Sequence, residues 1–559
     1  MEKLQFRVLY RQFLLRVVDL ELLSAQGDPT KLLGQFATVL LTFSAVVSIP
    51  WIFAGLGGVH RMSPESAWTL EHFLIATTMV VVGLFSVLSW DSAFPDRRDV
   101  LILAPLPVRA RTLFLAKLAA LGAGLSISMF ALNGLTGLLY PLLFTPAGSG
   151  FLHVFRSLAA YWLTVVAAAA FLFGSVLTMQ GVASKLLPRQ LFLRVSALLQ
   201  VLTFCLFLSV YVLEPSLEAR AALTAPENQR LLAFLPSYWF LGLFQQLNGS
   251  MEPAFIPLVR RAWTGLAIVT LGTVTSVLLS YVHTMRRIVE EPDILPGSHR
   301  SRRWPGVTAS IDNAVLLFSL RTLLRSRQHR VILSLYLGVG FAVMLVLLRP
   351  ALGKEGTAVA WLAVSILMLC VAVVAMRIVF SMPITLRANW LFRLAALHPV
   401  STYSKAVRRT LLLLAAAPVR LGFAALFFFL LPWRIAAAHL VALGLLGSIL
   451  ADVCVTGFHK IPFTCSYQPG RVNIQFAFWG FLVLLPLTRM ATNHEWELLQ
   501  HANGQALIAL ALGILALSAR WHTIRSAQSA ETMQFEELDE AEIISLQLSD
   551  DGALLRKAL

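Results

Sequence analysis

The chain has 559 residues, of which 57% are hydrophobic and 13% are charged. Soluble domains are about a quarter charged, and a single core stops growing at a few hundred residues, so this composition excludes a soluble globular protein. The net charge of +16 does not indicate a nucleic-acid partner. The basic residues form short clusters between apolar runs and do not form one contiguous face.

The first predicted element, residues 1–31, is an amphipathic helix. Phe6 and Phe13 share one helical face, and Arg7 lies on the opposite face. Apolar residues spaced by three and four positions are typical of a helix that lies in the membrane interface. The linker 286–330 contains a second segment with this pattern, just before the seventh apolar run.

Twelve apolar runs are long enough to cross a bilayer, which takes about 20 residues. Because lipid cannot satisfy free backbone groups, these runs are predicted to be helices. The predicted spans are 33–53, 70–90, 118–144, 158–179, 191–213, 262–284, 331–348, 358–380, 411–431, 435–457, 474–491 and 503–519. The predicted fold class is therefore an all-α polytopic membrane protein.

The distribution of Lys and Arg predicts how these spans are oriented. Most of the 45 Lys and Arg residues fall in segments that share one side of the membrane with both termini. Because positively charged loops stay in the cytoplasm, we expect both termini to be cytoplasmic. The protein is accordingly predicted to be a multi-pass protein of the inner (cytoplasmic) membrane.

Two of the predicted cytoplasmic loops share a sequence pattern at a spacing of 292 residues. The loop after span two contains Leu-Pro-Val at 106–108, and the loop after span eight contains Leu-His-Pro-Val at 397–400. Basic residues and then a span follow each loop, and the order of the other spans repeats as well. The chain is therefore predicted to contain two parallel six-span halves, 32–285 and 331–520.

The longest predicted outer segment, 214–261, contains the run Pro-Ser-Tyr-Trp. Pro236 stands at a predicted helix start, and Tyr238 and Trp239 are residues that favour the depth of the lipid headgroups. We expect a short re-entrant helix that dips into the outer interface.

Two of the charged residues inside predicted spans are singled out. Arg420 is near the middle of span nine, and Asp452 is toward the inner end of span ten. Charged groups inside a bilayer are costly and are usually paired or functional. We expect these two side chains to pair and to fix the register of their helices, with a substrate role as the alternative.

The sequence contains no motif for nucleotide binding or metal catalysis. It has neither a GxxxxGK[ST] nor a GxGxxG run to hold phosphates, so no enzyme with its own nucleotide site is predicted. His494, Glu495, Glu497 and His501 fall in the last outer loop, where a solvated loop is favoured over a metal site. The final segment, 521–559, is acidic and is predicted to be a solvated cytoplasmic tail.

The arrangement resembles the type-2 permeases of ATP-binding-cassette (ABC) exporters, here in a fused two-half form. That family has an interfacial helix before six spans, a cytoplasmic coupling loop between spans two and three, and short re-entrant helices between spans five and six. The N-terminal half has all of these features, and 103–109 is similar to the family's leucine–proline stretch. The C-terminal half departs from the pattern, since its counterpart of 214–261 shrinks to about 492–502.

The resemblance implies a permease subunit that is powered by separate ABC ATPase subunits and moves a hydrophobic or amphipathic substrate. ATP would bind to those partners, and no cofactor is expected in this chain. Membrane lipid and a second permease copy are further candidate partners. The residues implied in docking or coupling are Asp96, Arg97, Arg98, Pro107, Arg109, Arg393, Pro399 and Lys405.

Two other functions stay open. An ion-coupled secondary transporter of the twelve-span type also has two parallel halves, but Asp452 is the one acid that the sequence places as a buried coupling group. A membrane-embedded lipid-linked transferase would need paired acids or a metal site at a membrane face. Its candidates, Glu214 with Glu218 and Glu495 with Glu497, lie in predicted loops without supporting groups.

Overall fold

The computed structural model describes most of the chain, and the regular elements in the described ranges are helices without any β-strand. The described residues are 2–18, 29–56, 64–90, 106–144, 151–214, 220–249, 252–290, 310–349, 357–384, 389–395, 399–464, 474–530 and 532–535. The predicted all-α class is confirmed. The predictions made for Asp96, Arg97 and Arg98 lie outside the described residues.

The N-terminal half, residues 2–290, forms eleven α-helices within the described ranges. They are α1 (Glu2–Val18), α2 (Pro29–Leu56), α3 (Pro64–Leu88), α4 (Ala110–Asn133), α5 (Thr136–Phe144), α6 (Phe151–Leu186), α7 (Arg189–Leu213), α8 (Arg220–Thr224), α9 (Pro226–Phe234), α10 (Pro236–Asn248) and α11 (Ile256–Glu290). Pro236 begins α10 because its fixed φ suits a first helical turn. Gly249 ends α10 with a left-handed φ of 93°, which glycine adopts without steric cost.

The C-terminal half, residues 310–535, forms nine α-helices within the described ranges. They are α12 (Ile311–Arg325), α13 (Arg327–Leu348), α14 (Thr357–Phe380), α15 (Asn389–Ala395), α16 (Val400–Leu411), α17 (Ala417–Leu430), α18 (Trp433–Val455), α19 (Ile474–Leu499) and α20 (Ala502–Ser529). A π-helical turn, Leu412–Ala416, joins α16 to α17. Pro418 follows this turn and supplies no N–H for a regular helical bond.

Ten helical segments in the described ranges are long and apolar enough to cross a membrane. They are Ala67–Leu88, Arg111–Asn133, Phe151–Leu186, Val195–Leu213, Pro253–Ser276, Gln328–Leu348, Ala358–Phe380, Val400–Leu430, Trp433–Val455 and Ala502–Ser529. Each overlaps one predicted span, which confirms a polytopic architecture. The predicted spans 33–53 and 474–491 lie within α2 and α19, and the total of twelve stays a prediction.

The predicted span 118–144 differs from the structure at its start and in its middle. It is divided in two, because α4 ends at Asn133 and α5 begins at Thr136. At this break the Asn133 side-chain amide donates to the carbonyl oxygen of Met129 at 3.0 Å. At the start, α4 begins at Ala110, which places Lys117 inside the helix.

The core of the N-terminal half surrounds α10. This helix packs against α3, α6 and α11, and Tyr238, Phe240 and Phe244 on it are buried. Helices α6 and α11, of 36 and 35 residues, are the longest described and pack against each other. In the C-terminal half, α14 takes the central place and packs against α13, α18 and α19.

The bundle has two ends, which we name by the elements they carry. The near face carries α1 and residues 532–535, and the far face carries Glu214 and α10. The halves meet where α7 packs against α13 and where α2 packs against α19. At the far end of α13, Arg349 donates to the carbonyl oxygens of Val212 at 3.0 Å and Glu214 at 3.2 Å, so a cation caps the end of α7.

Candidate functional site

The near face of the N-terminal half joins α1 to the leucine–proline loop and to α4. The ring of Phe13 is buried against α4, and the Lys117 ammonium lies 5.2 Å from its centroid. The Gln5 side-chain amide donates to the carbonyl oxygen of Pro107 at 3.3 Å. The predicted interfacial helix is therefore fixed to the loop that precedes α4 as well as to α4 itself.

The near face of the C-terminal half has an equivalent arrangement of α12 and α16. The Arg409 guanidinium lies 3.3 Å from the Asp312 carboxylate of α12. The ring of Phe318, also on α12, lies 5.5 Å from the ring of Phe392 on α15. Arg409 follows Lys117 by 292 residues, the spacing of the two leucine–proline loops.

The sequence-predicted docking residues lie at this face where they are described. Pro107 and Arg109 precede α4, Pro399 precedes α16, and Lys405 lies on α16. All four side chains are exposed. Arg393 is in α15, and its side chain lies outside the described atoms. The structure thus brings an exposed basic residue beside each interfacial helix.

Asp452 on α18 is fully buried and pairs with two arginines. Arg408 binds it through two nitrogens, at 2.7 Å and 2.9 Å, and Arg520 approaches to 3.4 Å. The expected pair with Arg420 is not formed among these atoms. Arg420 follows Arg408 by twelve residues, about 18 Å along a helix, and its guanidinium lies against Gly444.

The contact of α18 with α20 repeats the contact of α6 with α11. The residues that make it are Gly174, Thr178 and Thr273 in the N-terminal half and Asp452, Thr456 and Thr523 in the C-terminal half. In each set the two threonine hydroxyls lie 3.1 Å apart. The last threonine of each set also lies close to a carbonyl oxygen, at 3.0 Å from Gly174 and 3.3 Å from Asp452. Gly174 and Asp452 are 278 residues apart in the sequence, and so are Thr178 and Thr456.

The far face of the N-terminal half contains a buried acid that the sequence reasoning missed. Glu71 on α3 accepts hydrogen bonds from the Tyr140 hydroxyl and from the Gln245 amide of α10. A second group adjoins it, in which Asn133 accepts from the Tyr161 hydroxyl at 2.7 Å. Glu71 lies in the first turn of the predicted span 70–90, and an acid there is a signal that could have found it.

The next residue, His72, ties the start of α10 to α3 and α7. Its ring stacks on Tyr238 with centroids 4.0 Å apart, and its Nε2 lies 3.3 Å from the Glu214 carboxylate. Ser237 donates to the same carboxylate. The predicted helix at Pro236 is present, but Tyr238 is buried in protein and does not face the headgroups.

The far face of the C-terminal half holds a serine–histidine–acid relay. Ser365 lies 2.8 Å from His439 Nε2, and His439 Nδ1 lies 2.7 Å from Glu495. This is the order of groups in serine hydrolases. Ser365 is nevertheless fully buried, and its hydroxyl also lies 2.8 Å from the Leu362 carbonyl oxygen. With its nucleophile closed off from substrate, the relay serves to hold α14, α18 and α19 together.

Glu495 and Glu214 are thus both supported by a histidine, which the sequence reasoning did not predict. His494, by contrast, is an exposed residue 3.8 Å from Glu497. Within the described ranges, no group of three or more His, Cys, Asp and Glu side chains is close enough to hold a metal ion.

These features define the class of the protein as an all-α polytopic membrane protein with buried polar clusters at both ends of its bundle. No family model, no curated protein and no solved structure matches the chain significantly.

Proposed function

We propose that this chain is the membrane-spanning permease of an ABC exporter, built from two six-span halves and driven by separate ATPase subunits. Support comes from contacts that repeat between the halves. Helix α7 packs against α13 while α2 packs against α19, which is the reciprocal pairing expected of two halves related by a pseudo-twofold axis. The repeated threonine contacts favour the same relation.

The observation that carries the proposal is the connection of each interfacial helix to the start of the third span of its half. Lys117 and Arg409 make that connection at equivalent positions. A protein that bound the exposed Arg109 and Lys405 would therefore push on an interfacial helix and a span together. Packed rigid elements of this kind pass movement from one site to another.

The energy source is assigned to a partner because the sequence holds no phosphate-binding loop. The near face would be cytoplasmic, as the distribution of Lys and Arg predicts. The substrate would be hydrophobic or amphipathic, since the predicted spans carry few charges that could bind a small polar solute.

The test is to express the tagged full-length chain in its own host, solubilise it in mild detergents and identify co-purifying proteins by mass spectrometry. We expect an ABC ATPase to be recovered, with vanadate-sensitive ATP hydrolysis. A variant with both Arg109→Glu and Lys405→Glu should lower recovery about tenfold or more, since reversed charges repel at an interface. Lys185→Glu is the matched control, because Lys185 is exposed at the near end of α6. Recovery of the permease alone in several detergents would contradict the proposal.

An ion-coupled secondary transporter is the second candidate, and Glu71 favours it. This acid lies inside a span with neutral partners, a placement typical of proton-coupled carriers. In proteoliposomes that lack ATPase subunits, such a carrier would move substrate down an imposed pH gradient. Glu71→Gln would abolish that movement. An ABC permease without its ATPase subunits would not move substrate in this assay, with or without the substitution.

A further inference from the structure

The near-face end of the C-terminal half holds an excess of positive charge within the bundle. Two guanidiniums, those of Arg408 and Arg520, share the one carboxylate of Asp452. The carboxylate is fully buried, while the Arg408 and Arg520 side chains are 19% and 27% exposed. Among the described residues, the cluster therefore has one more positive charge than negative, and such a charge is costly at membrane depth unless an anion approaches it.

The two arginines differ in how well they are satisfied. Arg408 binds both oxygens of Asp452 and also donates to the Ser448 hydroxyl at 2.6 Å. Within the described ranges, Arg520 makes one hydrogen-bonding contact, to Asp452 at 3.4 Å, which is long for a hydrogen bond. A guanidinium has five N–H donors, so most donors of Arg520 have no acceptor among the described residues.

The surroundings of Arg520 are those of a membrane interface. Helix α20 is the least buried of the ten apolar spans, so most of its surface is open to lipid. Leu517 and Trp521 beside it are exposed, and tryptophan is enriched at the depth of the headgroups. An anion that reached Arg520 from this side would come from the lipid.

The N-terminal half shows that the fold does not need this charge. Gly174 occupies the place of Asp452, and the same threonine contact joins α6 to α11 there. A Cβ on Gly174 would approach Val269 to 2.7 Å, so those helices are held by close apolar packing. The charged cluster is thus an addition specific to the C-terminal half.

We propose that Arg520, supported by Arg408, binds the phosphate group of an anionic lipid at the junction of α16, α18 and α20. The planar fork of arginine matches two phosphate oxygens, and basic pockets between spans bind such headgroups. A free phosphate shares this chemistry, but the lipid-facing position of α20 favours a lipid. The site stands whether or not the protein is an exporter.

The test uses the full-length chain, purified in mild detergent and stripped of native lipid. Its melting temperature is measured with dihexanoyl phosphatidylglycerol, with dihexanoyl phosphatidylcholine and with inorganic phosphate at equal concentrations. We expect a saturable rise with the anionic lipid and little change with the other two probes. Arg520→Gln should remove most of the rise. Arg520→Lys keeps the charge without the fork and should weaken binding about tenfold.

Arg525→Gln is the matched control, because five residues along a helix place Arg525 about 140° away from Arg520. It lies over the Trp521 ring, 3.6 Å from its centroid, and its variant should keep the full rise. Equal losses in both glutamine variants would show general attraction of charge and overturn the site, as would a full rise in Arg520→Gln. An equal rise with inorganic phosphate would assign the site to a soluble phosphate compound. If Arg520→Gln does not fold, the test rests on Arg520→Lys. An unchanged affinity of Arg520→Lys for the anionic lipid would overturn the proposal.

Discussion

The two halves of the molecule share their packing contacts and differ in their buried polar groups. A threonine pair joins α6 to α11 in the N-terminal half and α18 to α20 in the C-terminal half. At the position next to it, one half has Gly174 and the other has the charged Asp452. Contacts that occur in both halves are expected to stabilise the packing of the helices, because both halves need that packing to assemble. Groups present in one half alone are the better candidates for a specialised role.

The far faces show the same division. In the N-terminal half, Glu71 and Glu214 hold α10 against the bundle. In the described part of the C-terminal half, α19 and α20 follow each other directly and no helix occupies the place of α10. Its partly buried acid, Glu495, binds His439 on a neighbouring span. A separate outer helix is thus held by carboxylates in one half and is not needed in the other.

Asp452→Asn is the substitution expected to have the largest effect. It leaves the Arg408 guanidinium facing a neutral amide in a buried position, which costs about 3–5 kcal/mol when a buried pair is broken. Unfolding in SDS mixed micelles measures the loss. The double variant with Arg408→Gln should recover part of that stability, because the unpaired charge is gone. Equal stability of wild type and Asp452→Asn would show that the cluster is not a structural ion pair.

Gly174→Ala tests the corresponding position in the other half. The new Cβ would lie 2.7 Å from Val269 Cγ1 and 2.9 Å from Thr273 Oγ1, and overpacking of this kind costs about 1–3 kcal/mol. Gly122→Ala on α4 is the control, since no atom lies within 4 Å of its Cβ position. If both substitutions had the same effect on the SDS midpoint, close approach of α6 and α11 would not be what holds them.

The smallest effect is expected at the interfacial helices, which the two halves hold by different interactions. Lys117 is buried against the Phe13 ring, whereas Arg409 and Asp312 form an exposed ion pair. Asp312→Asn should cost less than about 1 kcal/mol, and the difference should vanish at 1 M salt, where charges are screened. Lys117→Gln should cost a similar amount that salt does not remove. If the stability lost in Asp312→Asn did not depend on salt, the two interfacial helices would not differ in the way described.

The apolar spans were the part of the fold that the sequence could predict. The predicted span 358–380 coincides with the segment Ala358–Phe380, because a run this long and this apolar leaves no other solution in lipid. Boundaries near charges were less accurate. The third span was expected to begin after Lys117, but the helix begins at Ala110. The Phe13 ring covers the Lys117 ammonium. These two residues are about a hundred positions apart, so the sequence around Lys117 gives no sign of the contact.

The polar clusters could be predicted only in part. Asp452 was found because it interrupts an apolar run, but its partners Arg408 and Arg520 are 44 and 68 residues away. A single sequence gives no measure of which distant cation lies at the same depth. Glu71 was missed since it stands at the edge of its span, where an acid reads as part of the adjoining loop.

The length of α11 has a mechanical consequence. Thr273, which touches Gly174 and Thr178, is the midpoint of this helix of 35 residues. Each end is therefore about 26 Å from the Thr273 contact. Val269 and Gly272 of α11 also lie against Gly174 and Thr178 of α6, so this short stretch would be the pivot of a rigid helix. A rocking of about 10° would displace each end by roughly 4–5 Å, by the same helical rise. Since α10 packs against α11, force applied at the near face would reach the outer helix through one rigid arm.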